Sequence, residues 1–208
     1  GGVVVFDAVA GVQPQSETVW RQADRYGVPR ICFVNKMDRV RADYEKTIES
    51  IRKRLGAVPV PIQYPIGAED YYKGIIDLIE EKAHFFDPDN AGATIEGEIP
   101  AEMLEQIAAV RLEMIERISE NDEAMLEKYL AGETPSPAEL KAGLRRGTLE
   151  NKVVPVTCGS ALKSLGVQMM LDAVIAYLPS PLDVKPVTGL RPQTGEVLAR
   201  PADPDGPF

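Results

Sequence analysis

The stretch Arg30-Ile31-Cys32-Phe33-Val34-Asn35-Lys36-Met37-Asp38 joins an apolar run to a polar loop. A short continuous apolar run such as residues 30–34 is typical of a strand that is covered on both faces of a parallel sheet. In open parallel sheets, ligands bind at the carboxyl ends of the strands, which is where residues 35–38 lie. The stretch therefore predicts a buried parallel strand that ends in a ligand-binding loop.

Strands and helices are predicted to alternate around this stretch. Pro14 stands in the first turn of one helix and Gly27 follows its end, whereas Asp43 caps the next helix and Gly56 closes it. The predicted strands cover residues 3–6, 30–34 and 153–156, and the predicted helices cover residues 14–26, 43–56 and 166–178. One apolar side of the last helix, which we expect to face the core, consists of Val167, Met170, Leu171, Val174 and Leu178. This alternation predicts an α/β fold with an incomplete doubly wound, mostly parallel sheet.

Residues 57–150 interrupt the alternation and predict an α+β insertion. Apolar residues alternate from Val58 to Ile66, but prolines interrupt the other register, so we expect an edge strand at best, because proline cannot donate to a ladder. Ser136 and Glu139, with proline between them, form a capping box at the start of a helix. Further strands are predicted over residues 82–86 and 94–99, and further helices over residues 101–120 and 122–130.

The charge of the chain is unevenly distributed. The formal net charge is −9, and residues 80–133 hold 15 acidic residues against 4 Lys or Arg. An acidic surface repels phosphate backbones, so we expect no direct binding of DNA. No run approaches the roughly 18 apolar residues that a membrane span needs, so we expect a cytoplasmic protein with no membrane partner.

The cysteines and the histidine show no metal-binding or disulfide pattern. Cys32 and Cys158 lie in or beside apolar runs, where free thiols are usually buried. His84 has no second His or Cys ligand nearby in the sequence and is predicted to be structural or exposed. We therefore predict no metal site.

Residues 35–38 have the form Asn-Lys-x-Asp, which suits the recognition of guanine. Guanine presents two adjacent donors, N1–H and the N2 amine, and the carboxylate of Asp38 can accept both. Adenine has no matching pair and would leave the carboxylate buried without a partner. Charge-assisted hydrogen bonds contribute roughly 1.5–3 kcal/mol each, so discrimination of about 10²–10⁴-fold is expected. By itself, this four-residue pattern is equally compatible with a structural turn.

A second polar loop, Ser160-Ala161-Leu162-Lys163, follows the strand predicted at residues 153–156 and favours the guanine interpretation. We expect Asn35 to donate toward base N7 and to hold the loop together. The stems of Lys36 and Lys163 can cover the two faces of the base, and the Ala161 N–H can meet guanine O6. The predicted guanine-binding residues are thus Asn35, Lys36, Asp38, Ser160, Ala161, Leu162 and Lys163.

The spacing of the two loops supports an insertion. Asn35 and Ser160 are 125 positions apart (160 − 35). A strand–helix–strand crossover needs only about 30 residues, so roughly ninety are extra. They include the acidic segment, which we expect to be inserted between adjacent strands of the sheet.

Several stretches resemble the elongation factor G family of translational GTPases. They are Val-Val-Val-Phe-Asp-Ala-Val-Ala-Gly-Val-Gln-Pro-Gln-Ser-Glu-Thr-Val-Trp-Arg-Gln-Ala at residues 3–23, Val-Asn-Lys-Met-Asp-Arg at 34–39, Gly-Ser-Ala-Leu-Lys at 159–163 and Leu-Pro-Ser-Pro-Leu at 178–182. The resemblance runs through nearly the whole chain, and the first stretch is specific to that family among translational GTPases.

The resemblance implies a P-loop GTPase fold and a ribosome-dependent GTPase that promotes translocation of tRNA and mRNA. GTP or GDP and Mg²⁺ are the implied ligands, and the ribosome is the implied partner. The resemblance further implies that the insertion meets the ribosomal stalk protein. The implied domains are residues 1–56 and 151–180 for the GTPase domain, 57–150 for the insertion, and 181–208 for a linker toward a β-barrel domain.

Parts of that machinery do not occur in this sequence. It contains no Gly-x-x-x-x-Gly-Lys-[Ser/Thr] phosphate loop and no Asp-x-x-Gly-His, and no switch threonine can be assigned. His84 lies in the insertion and does not inherit a catalytic role. We expect the catalytic residues and the Mg²⁺ ligands to lie in an amino-terminal part that is missing here, and we expect the chain alone to be inactive.

Two alternatives remain open. The first is the same region of a related ribosome-protection or release-factor GTPase, against which the run at residues 3–20 argues. The second is a protein-interaction module, in which the acidic insertion docks a basic partner. For the acidic residues, a solvated helix face is an equally good interpretation.

Overall fold

The computed structural model contains two compact units, Gly1–Leu178 and Pro179–Phe208. The predicted insertion, residues 57–150, falls inside the first unit, and its boundaries stay a prediction. The residues that the structure describes are 1–90, 92–184, 186–200, 202–203 and 206.

The first unit contains eight strands and six α-helices in its described residues. The strands are Gly2–Asp7 (β1), Arg30–Asn35 (β2), Pro59–Pro61 (β3), Gln63–Ile66 (β4), Gly74–Asp77 (β5), Lys82–Phe86 (β6), Thr94–Gly97 (β7) and Val154–Cys158 (β8). The helices are Pro14–Arg25 (α1), Tyr44–Leu55 (α2), Leu104–Ser119 (α3), Glu123–Leu130 (α4), Pro137–Leu149 (α5) and Val167–Tyr177 (α6). Within the described part of the chain, no helix combines the length and the apolar character that crossing a membrane requires.

Four strands form a parallel sheet in the spatial order β1–β2–β8–β3. The apolar run of β2 is buried along its length, as expected for a strand between two neighbours. The register pairs Asp7 of β1 with Asn35 of β2, and Val34 of β2 with Cys158 of β8. The carboxyl ends of β1, β2 and β8 therefore lie side by side, and the predicted α/β fold class is confirmed.

Local capping interactions set the ends of the helices as predicted. The Asp43 carboxylate accepts the Lys46 N–H at 2.9 Å at the start of α2, and Gly56 ends this helix with a φ of 62°. At the start of α5, the Ser136 hydroxyl accepts the Glu139 N–H at 3.4 Å, and the Glu139 carboxylate accepts the Ser136 N–H at 2.9 Å. Such caps satisfy backbone groups that a helix end leaves unpaired, so these boundaries follow from local sequence.

The proline-interrupted run at residues 58–66 forms the edge strands of two different sheets. β3 is the outer strand of the parallel sheet, and β4 is an outer strand of an antiparallel sheet. Between them, the Ile62 N–H donates to the Val156 carbonyl at 3.0 Å, and the Ile62 carbonyl accepts the Leu78 N–H at 3.0 Å. The edge prediction is confirmed, because edge positions tolerate proline, but the single predicted strand is two strands.

The antiparallel sheet has the order β4–β5–β6–β7 and lies between α2 and β8 in the sequence. β6 coincides with the strand predicted at residues 82–86, whereas β7 ends at Gly97, two residues before the predicted end. The sequence pattern does not indicate β5, because a strand of four residues is too short to show a period. The helices α3, α4 and α5 follow the sheet and close the segment before β8.

A single apolar core joins the two sheets of the first unit. Ile31 of β2 and Met37 of the loop that follows it are fully buried, as are Ile75 and Ile76 of β5. All four belong to one continuous cluster of buried residues. The antiparallel segment is therefore packed onto the parallel sheet and shares its hydrophobic stabilisation.

The buried side of α6 differs from the predicted side. Ala173 and Tyr177 are the buried residues of this helix, whereas Leu171 is 51% exposed. Met170 and Val174 pack against the margin of the core, as predicted. The helix is apolar almost all round, so no polar face marks its exposed side, and periodicity alone misplaced Leu171.

The second unit contains an antiparallel strand pair, Val187–Leu190 (β9) and Val197–Arg200 (β10), after a short 3₁₀ turn at Pro181–Asp183. In the connecting loop, the Arg191 N–H donates to the Glu196 carbonyl at 2.9 Å, and the two side chains form an ion pair at 3.3 Å. The sequence pattern indicates only a linker here. Residues 201–208, the end of the predicted linker, lie largely outside the described residues.

Replacing Gly67 by alanine is expected to destabilise the first unit more than replacing Gly56. Both glycines have positive φ, 76° and 62°, which costs an alanine about 1–2 kcal/mol. A Cβ at Gly67 would lie 2.0 Å from the Tyr71 carbonyl oxygen, whereas nothing lies within 4 Å at Gly56. The clash adds about 1–3 kcal/mol. Urea unfolding of both variants gives the two losses in the free energy of unfolding, and equal losses would contradict the expectation.

Candidate functional site

Two loops meet at the carboxyl edge of the parallel sheet. Residues 35–38 follow β2, and residues 160–163 follow β8. Backbone hydrogen bonds join them: the Gly159 N–H donates to the Val34 carbonyl at 2.9 Å, and the Met37 N–H donates to the Gly159 carbonyl at 3.1 Å. No side chain fits at Gly159, where a Cβ would lie 2.3 Å from the Leu165 carbonyl oxygen. The two loops therefore form one continuous floor.

The side-chain amide of Asn35 ties the two loops together. Its Oδ1 accepts the Lys36 N–H at 2.8 Å and the Ala161 N–H at 2.9 Å. Oδ1 is thereby used within the protein, which leaves the Nδ2 group to donate to a ligand. The Ala161 N–H, which the sequence analysis assigns to guanine O6, has a protein acceptor here, so a base carbonyl has to share this donor with Asn35.

Asp38 is a buried carboxylate with one unpartnered oxygen. Its side chain is 7% exposed, and Oδ2 lies 3.2 Å from the Lys163 ammonium. Oδ1 is buried and has no hydrogen-bond partner among the described residues. Burial opposes ionisation, but the Ser160 hydroxyl and the Lys163 ammonium outweigh it and hold the pKa of Asp38 below its ordinary value. The site therefore presents an ionised acceptor with free capacity.

The side chains of Lys36, Leu162 and Lys163 lie at the surface of this edge. Lys36 has a positive φ of 67°, and its ammonium lies 2.7 Å from Asp7 Oδ2. Lys163 is 54% exposed even though it pairs with Asp38. Leu162 is 81% exposed and makes no wall of a closed pocket. The structure thus brings all seven predicted residues to one edge, with Ser160 buried and Leu162 pointing to solvent.

The cysteines and His84 are not among the predicted guanine-binding residues. Cys32 and Cys158 are free and buried, as predicted, and burial raises the pKa of the Cys158 thiol to about 12. His84 lies in β6 and lines a cavity of about 390 Å³ together with Asp77 and Lys141. The described residues contain no group of three or more His, Cys, Asp or Glu side chains placed to hold a metal ion.

Comparison with known proteins identifies the family. Residues 1–180 match the family described as the elongation factor Tu GTP binding domain. The chain belongs to this family. A crystal structure of a protein from Thermus thermophilus is also similar, with a TM-score of 0.78 and 32% sequence identity. The similarity covers 95% of this chain and 30% of that chain, so this GTP-binding domain chain spans less than a third of the Thermus chain.

Membership in this GTP-binding domain family implies a guanine nucleotide ligand, and the loop edge has a group that fits one. The buried Asp38 Oδ1, ionised and unpartnered among the described residues, is an acceptor for which a base donor is the matching partner. Mg²⁺ usually accompanies the nucleotide in this family, but the carboxylates described here are not grouped to hold it. The base-binding residues stay a prediction at this point.

Residues 35–38 and 160–163 have supports in the antiparallel segment that the sequence analysis missed. The Glu69 N–H donates to the Met37 carbonyl at 2.8 Å, and the Glu69 carboxylate accepts the Arg41 N–H at 2.6 Å. The buried Gln63 amide oxygen accepts the Cys158 N–H at 3.1 Å. These residues act through long-range contacts that no local pattern encodes. The sequence offers one signal for Glu69, the nearby Gly67 of the turn that carries it. It offers none for Gln63, which falls in the register of the interrupting prolines.

Asp7 is a further residue at this edge that the sequence analysis missed. It is the last residue of β1, and it faces the second loop residue, Lys36, through the ion pair described above. In the sequence, Asp7 directly follows the apolar run at residues 3–6, so it is expected at the same edge of the sheet as the Asn-Lys-x-Asp loop. Without the strand register, this signal does not show which residue is its partner.

Replacing Asn35 by alanine is expected to free the Ala161 amide, whereas aspartate is expected to keep it bound. Aspartate retains an acceptor oxygen at Oδ1 and loses only the Nδ2 donor. One hydrogen bond contributes about 0.5–1.5 kcal/mol, so amide exchange at Ala161 should accelerate by roughly 2- to 12-fold in Asn35→Ala. Hydrogen exchange read by NMR measures this rate. An unchanged Ala161 rate in Asn35→Ala would show that the loops are held together by other contacts.

Proposed function

We propose that this chain is the guanine-recognising part of a ribosome-dependent GTPase of the elongation factor G type, which promotes translocation of tRNA and mRNA. The proposal rests above all on Asp38, whose carboxylate is 7% exposed and has one oxygen without a partner among the described residues. This acceptor lies between two loops of a GTP-binding domain. The resemblance of residues 3–23 supports the translocation role.

Asp38 distinguishes guanine from adenine in this proposal. Oδ1 accepts one of the two adjacent guanine donors, and Oδ2 accepts the other while it keeps Lys163, since a carboxylate oxygen has two lone pairs. A hydrogen bond to an ionised acceptor contributes about 1.5–3 kcal/mol. Adenine cannot form this bond, and it would leave the carboxylate desolvated and without a partner. Lys163 thus keeps the Asp38 carboxylate ionised before the base binds.

The other loop residues orient the base. Asn35 Nδ2 donates to guanine N7, since its Oδ1 is used between the loops. The stems of Lys36 and Lys163 cover the two faces of the ring, and the Ala161 N–H shares its proton with O6. Ser160 supports Asp38 from below, whereas Leu162 takes no part in the contact with the base.

The hydrolytic chemistry belongs to a longer protein in this proposal. The sequence contains no Gly-x-x-x-x-Gly-Lys-[Ser/Thr] phosphate loop, and the chain corresponds to 30% of the similar Thermus chain. We infer that the parts that hold the phosphates, Mg²⁺ and the attacking water lie in that longer protein, which acts in the cytoplasm on the ribosome. The 208-residue chain alone is expected not to hydrolyse GTP, and turnover by the purified chain would refute this.

Two related GTPases remain as alternatives to the elongation factor G type. A ribosome-protection GTPase and a release-factor GTPase carry the same guanine loops, so base recognition cannot separate them from a translocase. The run at residues 3–20 favours the elongation factor. The activity that separates them is ribosome translocation by the longer protein.

A second candidate function concerns the acidic helices. On α3 and α4, Glu105, Glu116, Glu123 and Glu127 are exposed and have no ion pair among the described residues. Unpaired charges of one sign create a field that attracts a basic partner and fixes its orientation. We propose that these glutamates dock a basic surface of the ribosomal stalk protein, as an interaction module within the GTPase.

Replacing Asp38 by asparagine in the longer GTPase is expected to reverse the preference between GDP and xanthosine diphosphate. Xanthine carries a carbonyl where guanine has its N2 amine, so it matches the amide of asparagine and repels a carboxylate. We expect a shift in relative affinity of about 10²–10⁴-fold, measured by competition titration. The matched control is Asp172→Asn on the exposed side of α6. An unchanged preference in Asp38→Asn would make residues 35–38 a structural turn.

Replacing Glu116, Glu123 and Glu127 together by glutamine is expected to weaken binding of the purified stalk protein by about 3- to 10-fold. The loss should shrink as salt rises, because exposed charges are screened. Titration at two salt concentrations measures both effects. The control neutralises three exposed acids outside these helices, Asp70, Glu150 and Asp172. Equal affinity of the two variants would leave these glutamates as a solvated face.

A further inference from the structure

Asp7 is an acidic residue at the carboxyl edge of the parallel sheet, and the proposed function assigns no role to it. It ends β1, and the parallel register sets it beside Asn35 of β2. This alignment brings its carboxylate within reach of the next residue, Lys36, although the two are 29 positions apart in the sequence (36 − 7). Asp7 Oδ2 lies 2.7 Å from the Lys36 ammonium. The contact is thus a product of the strand register.

The other oxygen of Asp7 fixes the carboxylate in place. Oδ1 accepts the Val9 N–H at 2.8 Å and the Ala10 N–H at 3.2 Å. The turn that carries these donors is held to α2 in its own right, because the Ala8 carbonyl accepts the Asp43 N–H at 2.9 Å. Asp7 is therefore an immobile anion, unlike a surface carboxylate on a freely rotating side chain.

Lys36 is held at both ends by this arrangement. Its backbone has a φ of 67°, and its N–H is bound by Asn35 Oδ1, which sets the direction in which the side chain leaves the loop. Its ammonium is bound by Asp7 at the far end. A lysine stem has high rotamer freedom when it is loose, and a fixed end removes most of that freedom before a ligand binds.

We propose that Asp7 is a positioning residue for base recognition: it holds the Lys36 ammonium so that the lysine stem stands preformed as one wall of the guanine site. The inference rests on the proposed function, because it assigns the wall to guanine. Burial of Asp7 opposes its ionisation, but the Lys36 ammonium and the Val9 and Ala10 N–H groups keep the pKa of Asp7 below its ordinary value. The anchor is thus charged at neutral pH.

A purely structural role for Asp7 makes a different prediction. If Asp7 serves only to cap the turn at residues 8–10, its effect is independent of Lys36. Two conservative variants separate the roles. Asp7→Asn keeps an oxygen that can accept the Val9 and Ala10 N–H groups but loses the charge, and Lys36→Met keeps an unbranched apolar stem but loses the ammonium. Each variant removes one end of the ion pair and leaves the rest of the loop in place.

The test is a double-mutant cycle on the rate of GDP release from the longer GTPase. We expect Asp7→Asn to accelerate release by about 2- to 5-fold, the effect of one partly exposed ion pair. In the Lys36→Met background, Asp7→Asn should add nothing, because the ammonium that it anchors is gone. Release from the unaltered protein should quicken with salt, and this dependence should be weaker in Lys36→Met, which keeps only the Lys163–Asp38 pair at this edge. Glu96→Gln, which breaks the exposed Lys82–Glu96 pair at the same 2.7 Å distance in the antiparallel sheet, is the matched control.

Two results would overturn the inference. Release that is unchanged in Asp7→Asn would show that Lys36 needs no anchor, and equal acceleration in both backgrounds would assign Asp7 to the turn alone. If Asp7→Asn fails to fold, the salt dependence carries the test, and equal salt dependence of release in the unaltered protein and in Lys36→Met would overturn the inference. The preference for GDP over xanthosine diphosphate should stay unchanged in every Asp7 variant, since it depends on Asp38. Failure of guanine recognition is thus visible separately, in the Asp38→Asn experiment.

Discussion

The side-chain amide of Asn35 joins two loops that lie 125 positions apart in the sequence (160 − 35). One oxygen accepts two backbone N–H groups, those of Lys36 and Ala161, and thereby satisfies donors that the ends of β2 and β8 leave unpaired. The arrangement is possible only because these strands are parallel neighbours in the sheet. The approach of Asp38 to Lys163 depends on the same pairing, and so does the ionised carboxylate between the loops. Together with the two backbone hydrogen bonds at Gly159, the Asn35 contact holds the site in place.

The inserted segment between the two loops disturbs the Asn35 contact little, because the strand at which it leaves the parallel sheet is the neighbour of the strand at which it returns. β3, where the inserted segment begins, pairs directly with β8, where it ends. Ile62 then hydrogen-bonds to both sheets, and Gln63 and Glu69 contribute side chains or backbone to the loop edge. The inserted residues are therefore built into the support of the loops. A large addition to the fold thus stabilises the edge that it could have disrupted.

The parts of this fold that depend on local sequence could be predicted, and the parts that depend on distant contacts could not. The apolar runs gave β1, β2 and β8, and the caps at Asp43 and Ser136 gave the starts of two helices, because these signals act within a few residues. The division of one edge strand at Ile62 and the orientation of α6 depend on what packs against them. In the site, the two loop motifs marked the seven residues that the structure brings to one edge of the sheet. Asp7, Gln63 and Glu69 remained hidden, because each reaches a partner that is far away in the sequence.

Cys158, the last residue of β8, is buried between this strand and the inserted segment. Its N–H is bound by Gln63, and the Tyr72 hydroxyl lies 3.9 Å from its sulfur, so two residues of the inserted segment cover it. Only a thiolate attacks an alkylating reagent, and burial raises the pKa of this thiol to about 12. While these contacts are intact, the Cys158 thiol is therefore unreactive toward alkylating reagents. Alkylation of Cys158 thus requires the contacts that Gln63 and Tyr72 make with this residue to open first.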